Sequence, residues 1–200
     1  MSSDNKLVLA SANPGKIKEL QQMLDSLGIQ VIPQTELDIP DIEETGLSFV
    51  ENSILKARNA TALSGLPAIA DDSGLEVDYL KGAPGIYSAR FAGADATDAS
   101  NRNKLLELLA AVPTGQRTAR YQTVLAYMRH ANDSTPIICQ GSWEGSIATD
   151  EKGDGGFGYD PLFIVSETNC RAAELDKETK NRLSHRGKAM ANLLQKLQTS

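Results

Sequence analysis

Short apolar runs alternate with helical patterns in the first part of this chain, and this alternation limits the possible folds more than any other feature. A predicted strand at residues 6–10, apolar from Leu7, precedes residues with helical spacing, and similar strands at residues 29–32 and 66–70 flank a second helical stretch. Ser48 and Glu51 are suited to open that second helix as a capping box. The first helix is marked by Ile17, Leu20, Met23, Leu24 and Leu27, with Gly28 at its end. Strands that alternate with helices predict an α/β protein.

The second part of the chain adds a β-hairpin to this pattern. Two long apolar-rich segments are separated by the turn-forming Asn132, Asp133 and Ser134, so they are predicted to pair as antiparallel strands. The elements predicted here are a helix from Thr97 or Asp98 to Pro113, strands at residues 119–129, 136–148 and 162–165, and a last helix from Ser184 to Leu197. Parallel and antiparallel strands together predict a mixed central sheet with flanking helices.

Composition and charge exclude several classes of protein. The chain has 200 residues, of which 40% are apolar and 23% charged, and these values fit one globular domain over residues 1–200. A net charge of −6 provides no basic surface for duplex nucleic acid. The apolar run at residues 7–10 is too short for a signal peptide or a membrane span, and Cys139 and Cys170 lack the spacing of metal ligands. We therefore expect a cytoplasmic protein that binds neither nucleic acid nor a membrane.

A polar turn joins the first predicted strand to the first predicted helix. It consists of Ser11, Ala12, Asn13, Pro14, Gly15 and Lys16. The N-terminus of a helix carries unpaired N–H groups and the positive end of the helix dipole, and both favour a bound anion such as phosphate. Pro14 suits the first helical position, but the segment is neither a Walker A loop nor a GxGxxG motif. An ordinary capped helix with a solvent-exposed Lys16 explains the same residues.

An acidic pair, Asp71 and Asp72, is followed by Ser73 and Gly74 directly after the third predicted strand. Ligands of open α/β sheets bind beyond the carboxyl ends of the strands, and carboxylates are ligands that Mg²⁺ prefers. Adjacent side chains of an extended chain point in opposite directions, so one carboxylate could hold Mg²⁺ while the other orients or deprotonates a water molecule. The alternative is a turn that ends the strand, in which these side chains bind backbone N–H groups.

A second acidic pair, Glu43 and Glu44, lies in the loop before the second predicted helix. Lys56 lies on that helix and shares a face with Asn52, so its side chain could point back towards the loop. Taken alone, the local sequence favours acids and a lysine that are exposed to solvent.

A glycine-rich loop and the start of the last helix supply two further groups of residues. The loop includes Phe157, Gly158, Tyr159 and Asp160, and the later group consists of Lys180, His185 and Arg186. Glycines let the backbone approach a ligand closely, and an aromatic ring can stack on a planar base. Cations in the first turn of a helix oppose its dipole unless an anion or a carbonyl-rich ligand compensates. The alternatives are aromatic rings that pack into the core and a solvent-exposed helix start.

Several motifs occur in a fixed order between residues 7 and 197. They are SANPGK at 11–16, EETG at 43–46 with Phe49, Glu51 and Asn52, DDSGL at 71–75, GAPGIYSAR at 82–90, GGFGYDP at 155–161 and SHR at 184–186. In this order they resemble the motifs of the inosine/xanthosine triphosphate pyrophosphatases, which hydrolyse non-standard purine nucleoside triphosphates to monophosphate and pyrophosphate. The resemblance implies the same reaction on ITP, dITP or XTP. It also implies a strongly twisted mixed sheet and two lobes, with the active site in the cleft between them.

The resemblance further implies a role for each candidate residue. The triphosphate would be bound by Ser11, Ala12, Asn13, Pro14, Gly15 and Lys16, and Ser73 would contact the substrate. Mg²⁺ would be bound by Glu44 and Asp72, with Glu43 as the alternative ligand. Asp72 would also accept the proton of the attacking water, and Asp71 and Lys56 would support the reaction. The base site would be lined by Phe157, Gly158, Tyr159 and Asp160 and completed by Lys180, His185 and Arg186.

Base selection and assembly follow from the same resemblance. Hydrogen-bond donors on His185 and Arg186 suit the 6-oxo group of hypoxanthine or xanthine, whereas the 6-amino group of adenine would leave them without an acceptor. The resemblance implies a homodimer. Two other functions are a related pyrophosphatase for modified pyrimidine or methylated nucleotides and a nucleotide-binding sensor without catalysis, against which the acidic pair and Lys16 count.

Overall fold

The computed structural model describes residues 6–24 and 28–198, without the side chains of Pro14, Glu19 and Met23. Its helices are α1 (Pro14–Leu24), α2 (Phe49–Ser64), α3 (Asp98–Leu108), α4 (Lys177–Leu183) and α5 (His185–Gln198). Its strands are β1 (Lys6–Leu9), β2 (Gln30–Pro33), β3 (Ala68–Val77), β4 (Thr118–Met128), β5 (Ile137–Ile147) and β6 (Phe163–Val165). The predicted α/β class is confirmed, and Leu27, expected in the first helix, lies outside the described residues.

The strands form one mixed sheet in the order β2-β1-β3-β4-β5-β6. β1 runs parallel to both β2 and β3, whereas β5 and β6 are antiparallel. Contacts along β4 and β5 run in opposite directions, because the Ile147 N–H donates to the Arg117 carbonyl and the Ser142 hydroxyl donates to Gln122. The predicted hairpin and the predicted mixed sheet are therefore confirmed.

The ends of the helices follow the predicted capping residues. Ser48 accepts a hydrogen bond from the Glu51 N–H, and the Glu51 carboxylate accepts from the Ser48 hydroxyl and the Leu47 N–H. Gly65 follows α2 in the left-handed region, with a φ of 68°, as a C-terminal glycine does. α3 is capped by Thr97, the first of the two candidates for that position.

The described residues divide into two compact units. The first takes the described residues of 1–72, 124–140 and 189–200, and the second takes residues 73–123 and 141–188. In the first unit, Leu7 and Leu9 of β1 lie in a buried cluster with residues of α1 and α5. Val8 and Ala10 lie in another buried cluster, with residues of α2. Because successive side chains of a strand point to opposite faces, α1 and α2 are anchored on different faces of the sheet.

The second unit has a more aromatic core. Trp143 and Phe163 are fully buried, with ring centroids 5.5 Å apart, and Tyr121 packs against both. Leu105 and Leu109 add apolar contacts from α3 and its C-terminal end. In the described part of the chain, none of the helices has the length and apolar character needed to cross a membrane.

Candidate active site

Asp71 and Asp72 lie inside β3, so the predicted turn at residues 71–74 is wrong. The pair still lies beyond the carboxyl end of a neighbouring strand, since Ile69 is paired with Leu9, the last residue of β1. Both carboxylates are nearly buried, with exposed fractions of 4% and 6%. The strand continues through these polar residues because both side chains have charged partners on the adjacent helices.

The two carboxylates meet partners on different helices, as predicted for neighbours in a strand. Asp71 Oδ2 lies 2.7 Å from the Nζ of Lys16 on α1. Asp72 Oδ1 lies 3.5 Å from the Nζ of Lys56 on α2, and Asp72 Oδ2 accepts a hydrogen bond from Asn52 Nδ2 at 3.0 Å. Each carboxylate therefore has an ammonium group from a separate helix.

Lys56 connects the acidic loop to β3. Its Nζ lies 2.8 Å from Glu44 Oε1 as well as 3.5 Å from Asp72 Oδ1, so the side chain points back towards the loop, the less favoured of the two possibilities. Glu44 is partly buried whereas Glu43 is exposed, and the contact with Lys56 distinguishes Glu44 from its neighbour. Lys56 is therefore not the solvent-exposed lysine that the local sequence favours.

Burial and neighbouring charges shift the pKa values of Lys56 and Asp72. Burial disfavours the charged form of Lys56, but the surrounding carboxylates, Asp71 foremost, outweigh burial and raise the pKa of the ammonium. Burial raises the pKa of Asp72 above its ordinary value, although Lys56 and Asn52 favour the ionised form. An aspartate with a raised pKa accepts a proton more readily than a solvent-exposed one.

Glu44 and Asp72 both place carboxylate oxygens near the ammonium of Lys56. Carboxylate oxygens are ligands that Mg²⁺ prefers, and Mg²⁺ is commonly held by one or two carboxylates together with water and substrate phosphates. Among the described residues, no cluster of three or more His, Cys, Asp or Glu side chains could hold a metal ion. The donor set fits a magnesium ion that completes its coordination with substrate oxygens and water.

The turn before α1 is closed by its own side chains. Ser11 Oγ accepts a hydrogen bond from the Asn13 N–H at 3.1 Å. Asn13 Oδ1 accepts from the N–H groups of Gly15 and Lys16 at 2.9 and 3.2 Å, and Pro14 begins α1 as predicted. Two of the amides expected to face an anion are therefore already capped by Asn13.

Lys16 is not the solvent-exposed lysine of the alternative interpretation, because it is paired with the nearly buried Asp71. Ala12 is exposed, which leaves this part of the turn accessible to an anion. The Ser73 hydroxyl shares a hydrogen bond of 2.6 Å with the Thr123 hydroxyl. Phosphate binding by the turn and substrate contact by Ser73 stay predictions.

The glycine-rich loop of the second unit separates its two aromatic residues. Phe157 is 46% exposed, and the Nζ of Lys180 and the guanidinium of Arg186 lie 5.2 and 5.6 Å from its ring centroid. Tyr159 is buried, and its hydroxyl donates to the Ser88 carbonyl at 2.8 Å. Both interpretations of the loop are partly correct, since Phe157 is available for stacking while the ring of Tyr159 packs into the core.

The backbone of this loop is tied to α3. The Gly158 N–H donates to Asp98 Oδ2 at 2.7 Å, and the Gly158 carbonyl accepts from Arg102 at 2.9 Å. A Cβ at Gly156 would collide with the Asp160 carboxylate, so the close approach of the loop to this side chain requires glycine. The loop is thus held by polar contacts of Gly158 and by the close packing of Gly156 against Asp160.

Asp160 accepts hydrogen bonds from three donors of the second unit. They are Lys180 Nζ at 2.5 Å, the Phe157 N–H at 2.9 Å and the Tyr121 hydroxyl at 3.2 Å. Burial and the charge of Asp160 raise the pKa of Tyr121 well above its ordinary value, so the hydroxyl stays a donor. The sequence pattern assigned no role to Tyr121, because its position in a long strand indicates only a core residue.

His185 and Arg186 begin α5 as predicted, and the Ser184 hydroxyl accepts from the Gly187 N–H at 3.1 Å. The His185 ring stacks on Tyr121, with centroids 4.9 Å apart and an interplanar angle of 10°. Both His185 and Arg186 are nearly buried, so the solvent-exposed helix start is wrong. The second unit therefore brings the predicted base-site residues into one group around Tyr121 and Asp160.

Proteins of known sequence match nearly the whole chain. A family model described as the Ham1 family matches residues 7–196. A dITP/XTP pyrophosphatase of Photobacterium profundum is 57% identical over 189 residues, which are 94% of this chain and 96% of that protein. A dITP/XTP pyrophosphatase of Escherichia coli O157:H7 is 56% identical over 192 residues, which are 96% of this chain and 98% of that protein.

Solved structures match the fold equally well. A HAM1 protein from Coxiella burnetii has a TM-score of 0.93 and 50% identity, and the match covers 98% of this chain and 99% of that one. The Ham1 protein of Staphylococcus aureus has a TM-score of 0.85 and 40% identity, over 97% and 98% of the two chains. These likenesses support the α/β architecture over nearly the whole chain.

Proposed function

The chain belongs to the Ham1 family, and we propose that it hydrolyses dITP, ITP and XTP to the nucleoside monophosphate and pyrophosphate. The names of its relatives, dITP/XTP pyrophosphatases, support this substrate class. The observation that carries the proposal is the acidic pair of β3, in which nearly buried Asp71 and Asp72 each have a lysine partner. Such a group has the charges needed to bind a polyphosphate and to activate water beside it.

The proposed reaction is an attack of water on the α-phosphorus. A bond forms between the water oxygen and the α-phosphorus, the bond from the α-phosphorus to the bridging oxygen breaks, and pyrophosphate leaves. Asp72 accepts a proton of the water, and burial suits it to this role because burial raises its pKa. Lys16 and Lys56 supply positive charge that opposes the negative charge of the phosphates.

Mg²⁺ is the proposed cofactor, with Glu44 and Asp72 as its protein ligands. When bound, the ion would polarise phosphate oxygens and compensate their charge. The contacts of Lys56 with both carboxylates support the choice of Glu44 rather than Glu43. The charge of Lys56 would stabilise the ionised forms of the two carboxylates.

The base would be selected by the group in the second unit. Phe157 offers an exposed ring for stacking, and His185 and Arg186 offer donors for the 6-oxo group of the base. Lys180 is fixed by Asp160 and lies near the same ring. Adenine would leave buried donors without an acceptor, which costs enough free energy to discriminate strongly.

The substrate and the products test this proposal together. The purified chain is incubated with Mg²⁺ and, separately, with dITP, XTP, ITP, dATP, dGTP or dTTP, and the phosphate product is identified. We expect pyrophosphate from the first three and little turnover of dATP. Release of orthophosphate would contradict the attack on the α-phosphorus. A preference for pyrimidines would support the related pyrophosphatase, and binding without turnover would support the sensor.

A homodimer and a cytoplasmic location are further proposals, both based on the resemblance to the pyrophosphatase family. Light scattering of the purified chain would measure the mass in solution. A mass near twice the 21.5 kDa of one chain is expected for the dimer. A mass of one chain at micromolar concentration would contradict it.

A further inference from the structure

We infer that Asn52 is a positioning residue that fixes both carboxylates proposed to bind Mg²⁺; this inference rests on the proposed function. Asn52 lies on α2, is fully buried and has both ends of its side-chain amide in hydrogen bonds. A buried amide without partners is costly, so an amide with a partner at each end defines the positions of the groups around it.

The orientation of the Asn52 amide is determined by its partners. Its Nδ2 donates to Asp72 Oδ2 at 3.0 Å, and its Oδ1 accepts from the Gly46 N–H at 2.8 Å. A carboxylate can only accept and a backbone N–H can only donate, so the opposite orientation of the amide would break both bonds. The amide can therefore make both bonds in one orientation only. One bond holds β3 and the other holds the acidic loop against α2.

Gly46 matters because it follows Glu44 closely in the acidic loop. A Cβ at Gly46 would lie 2.6 Å from Asn52 Oδ1 and 2.6 Å from the Glu51 Cβ, so the loop is packed directly on α2 at this point. The Glu44 carboxylate then reaches Lys56, one helical turn after Asn52. Asn52 thus holds the loop that carries Glu44 while it binds Asp72.

A residue that holds two metal ligands acts on metal affinity rather than on contacts with the nucleotide. Groups hydrogen-bonded to metal ligands typically change metal affinity or activity by about 10–100-fold when they are removed. We therefore expect variants of Asn52 to weaken metal binding and lower kcat, while the KM for dITP under saturating metal changes little. A purely structural role would lower stability without this separation.

Two substitutions remove the bonds in different ways. Asn52→Asp keeps an acceptor for the Gly46 N–H but places a carboxylate oxygen where the donor to Asp72 lies. Asn52→Leu keeps a similar volume and removes both bonds. Ser53→Ala is the matched control, since Ser53 is also fully buried on α2 but donates to the Val124 carbonyl at 2.9 Å.

The test measures Mn²⁺ binding by electron paramagnetic resonance, in the presence of a dITP analogue with a methylene group between the α- and β-phosphorus. The kcat and KM for dITP and the melting temperature are measured on the same full-length variants. We expect both Asn52 variants to weaken Mn²⁺ binding and to lower kcat by about 10–100-fold. Ser53→Ala should leave the Mn²⁺ affinity and kcat within about twofold of the original chain, because its bond does not involve a metal ligand.

The inference and the proposed function fail in different ways. Absence of pyrophosphate release by the original chain would overturn the proposed function. Release by the original chain together with unchanged Mn²⁺ affinity in the folded Asn52→Asp or Asn52→Leu variant would overturn the positioning role. An equal loss in Ser53→Ala would also overturn it, because the effect would then come from a loosened helix. Loss of Mn²⁺ affinity in the Asn52 variants alone supports it.

Discussion

Two lysine–aspartate pairs of similar geometry lie in the two units of the molecule. Lys16 approaches Asp71 at 2.7 Å in the first unit, and Lys180 approaches Asp160 at 2.5 Å in the second. Both aspartates are 4% exposed. The residues around the two pairs differ, however, because charged side chains surround the first pair and aromatic rings surround the second.

The first pair lies among other charges, and the second lies among aromatic rings. Asp71 is followed by Asp72, and both carboxylates act on the pKa of Lys56. Asp160 instead accepts from the Tyr121 hydroxyl and lies near Phe157, whose N–H it also binds. A cluster of charges suits phosphates and a metal ion, whereas rings with fixed donors suit a planar base. Under the proposed function, one lysine–aspartate pair would bind the charge of the phosphates and metal ion, and the other would position donors for the base.

Removal of a carboxylate from the first group is expected to have the largest effect. Asp72→Asn should lower kcat for dITP by about 10³-fold, because the proposed proton acceptor and a proposed metal ligand are lost together. The melting temperature should change little, since the amide keeps the size of the carboxylate. Asp78→Asn is the control, because Asp78 is an exposed partner of Arg120 on the protein surface. Unchanged turnover in Asp72→Asn would contradict the role of Asp72.

The two lysines give the sharpest contrast between the groups. Lys16→Met should lower kcat/KM by about 100-fold for dITP and dATP alike, because the phosphates are common to both. Lys180→Met should lower kcat/KM for dITP by about 10-fold and leave the slow turnover of dATP nearly unchanged, because it disturbs the base site. Steady-state kinetics on both nucleotides measure the two ratios.

The contrast fails if the two lysine variants behave alike. Loss of discrimination in Lys16→Met, or a uniform loss in Lys180→Met, would show that the phosphate and base functions are not divided between these groups. Circular dichroism of both variants controls for unfolding, since each substitution removes the ammonium from a nearly buried aspartate.

A smaller effect is expected from Tyr121→Phe. The substitution keeps the ring that stacks on His185 and removes the hydroxyl that donates to Asp160. We expect the free energy of unfolding to fall by about 1–2 kcal/mol and the preference for dITP over dATP to fall by a few fold. Urea denaturation and kinetics measure the two quantities. If Tyr121→Phe changed the preference for dITP over dATP as much as Lys180→Met does, the Tyr121 hydroxyl and not Lys180 would determine the selection of the base.

The smallest effect is expected outside both groups, at the turn of the hairpin. Hydrogen bonds from Arg129 hold the pKa of Asp133 well below its ordinary value. A carboxylate with a lowered pKa stabilises the fold above its unfolded-state pKa and loses that contribution as the pH falls towards its folded-state pKa. Asp133→Asn should therefore melt a few degrees lower than the original chain at pH 7, and the difference should shrink below about pH 4. A constant difference from pH 7 to pH 2 would contradict this origin.

Much of this architecture is predictable from the sequence, because the spacing of apolar residues and the capping residues determine helices and strands locally. The limits of α2 and the hairpin follow from spacing and turn residues alone, whereas spacing only permits the observed direction of Lys56. β3 is different, because polar residues 71–74 suggest a turn, whereas the ion pairs of Asp71 and Asp72 with α1 and α2 stabilise a continuous strand there.

The two groups also differ in how much of them is predictable. The charged residues of the first group stand out in the sequence, and the spacing places Asn52 on the same helical face as Lys56 without assigning it a role. Tyr121 of the second group does not stand out, since an aromatic residue in a strand is typical of any core. Its role depends on a stack with His185 and a hydrogen bond to Asp160, and both contacts arise only from the tertiary fold.

The site of water attack can be determined in a single labelling experiment. The chain hydrolyses dITP in water enriched in ¹⁸O, and mass spectrometry locates the label in the products. Attack on the α-phosphorus predicts one ¹⁸O atom in the monophosphate and an unlabelled pyrophosphate. Label in pyrophosphate or in orthophosphate would mean that water attacks the β- or γ-phosphorus, and it would contradict the arrangement proposed around Asp72.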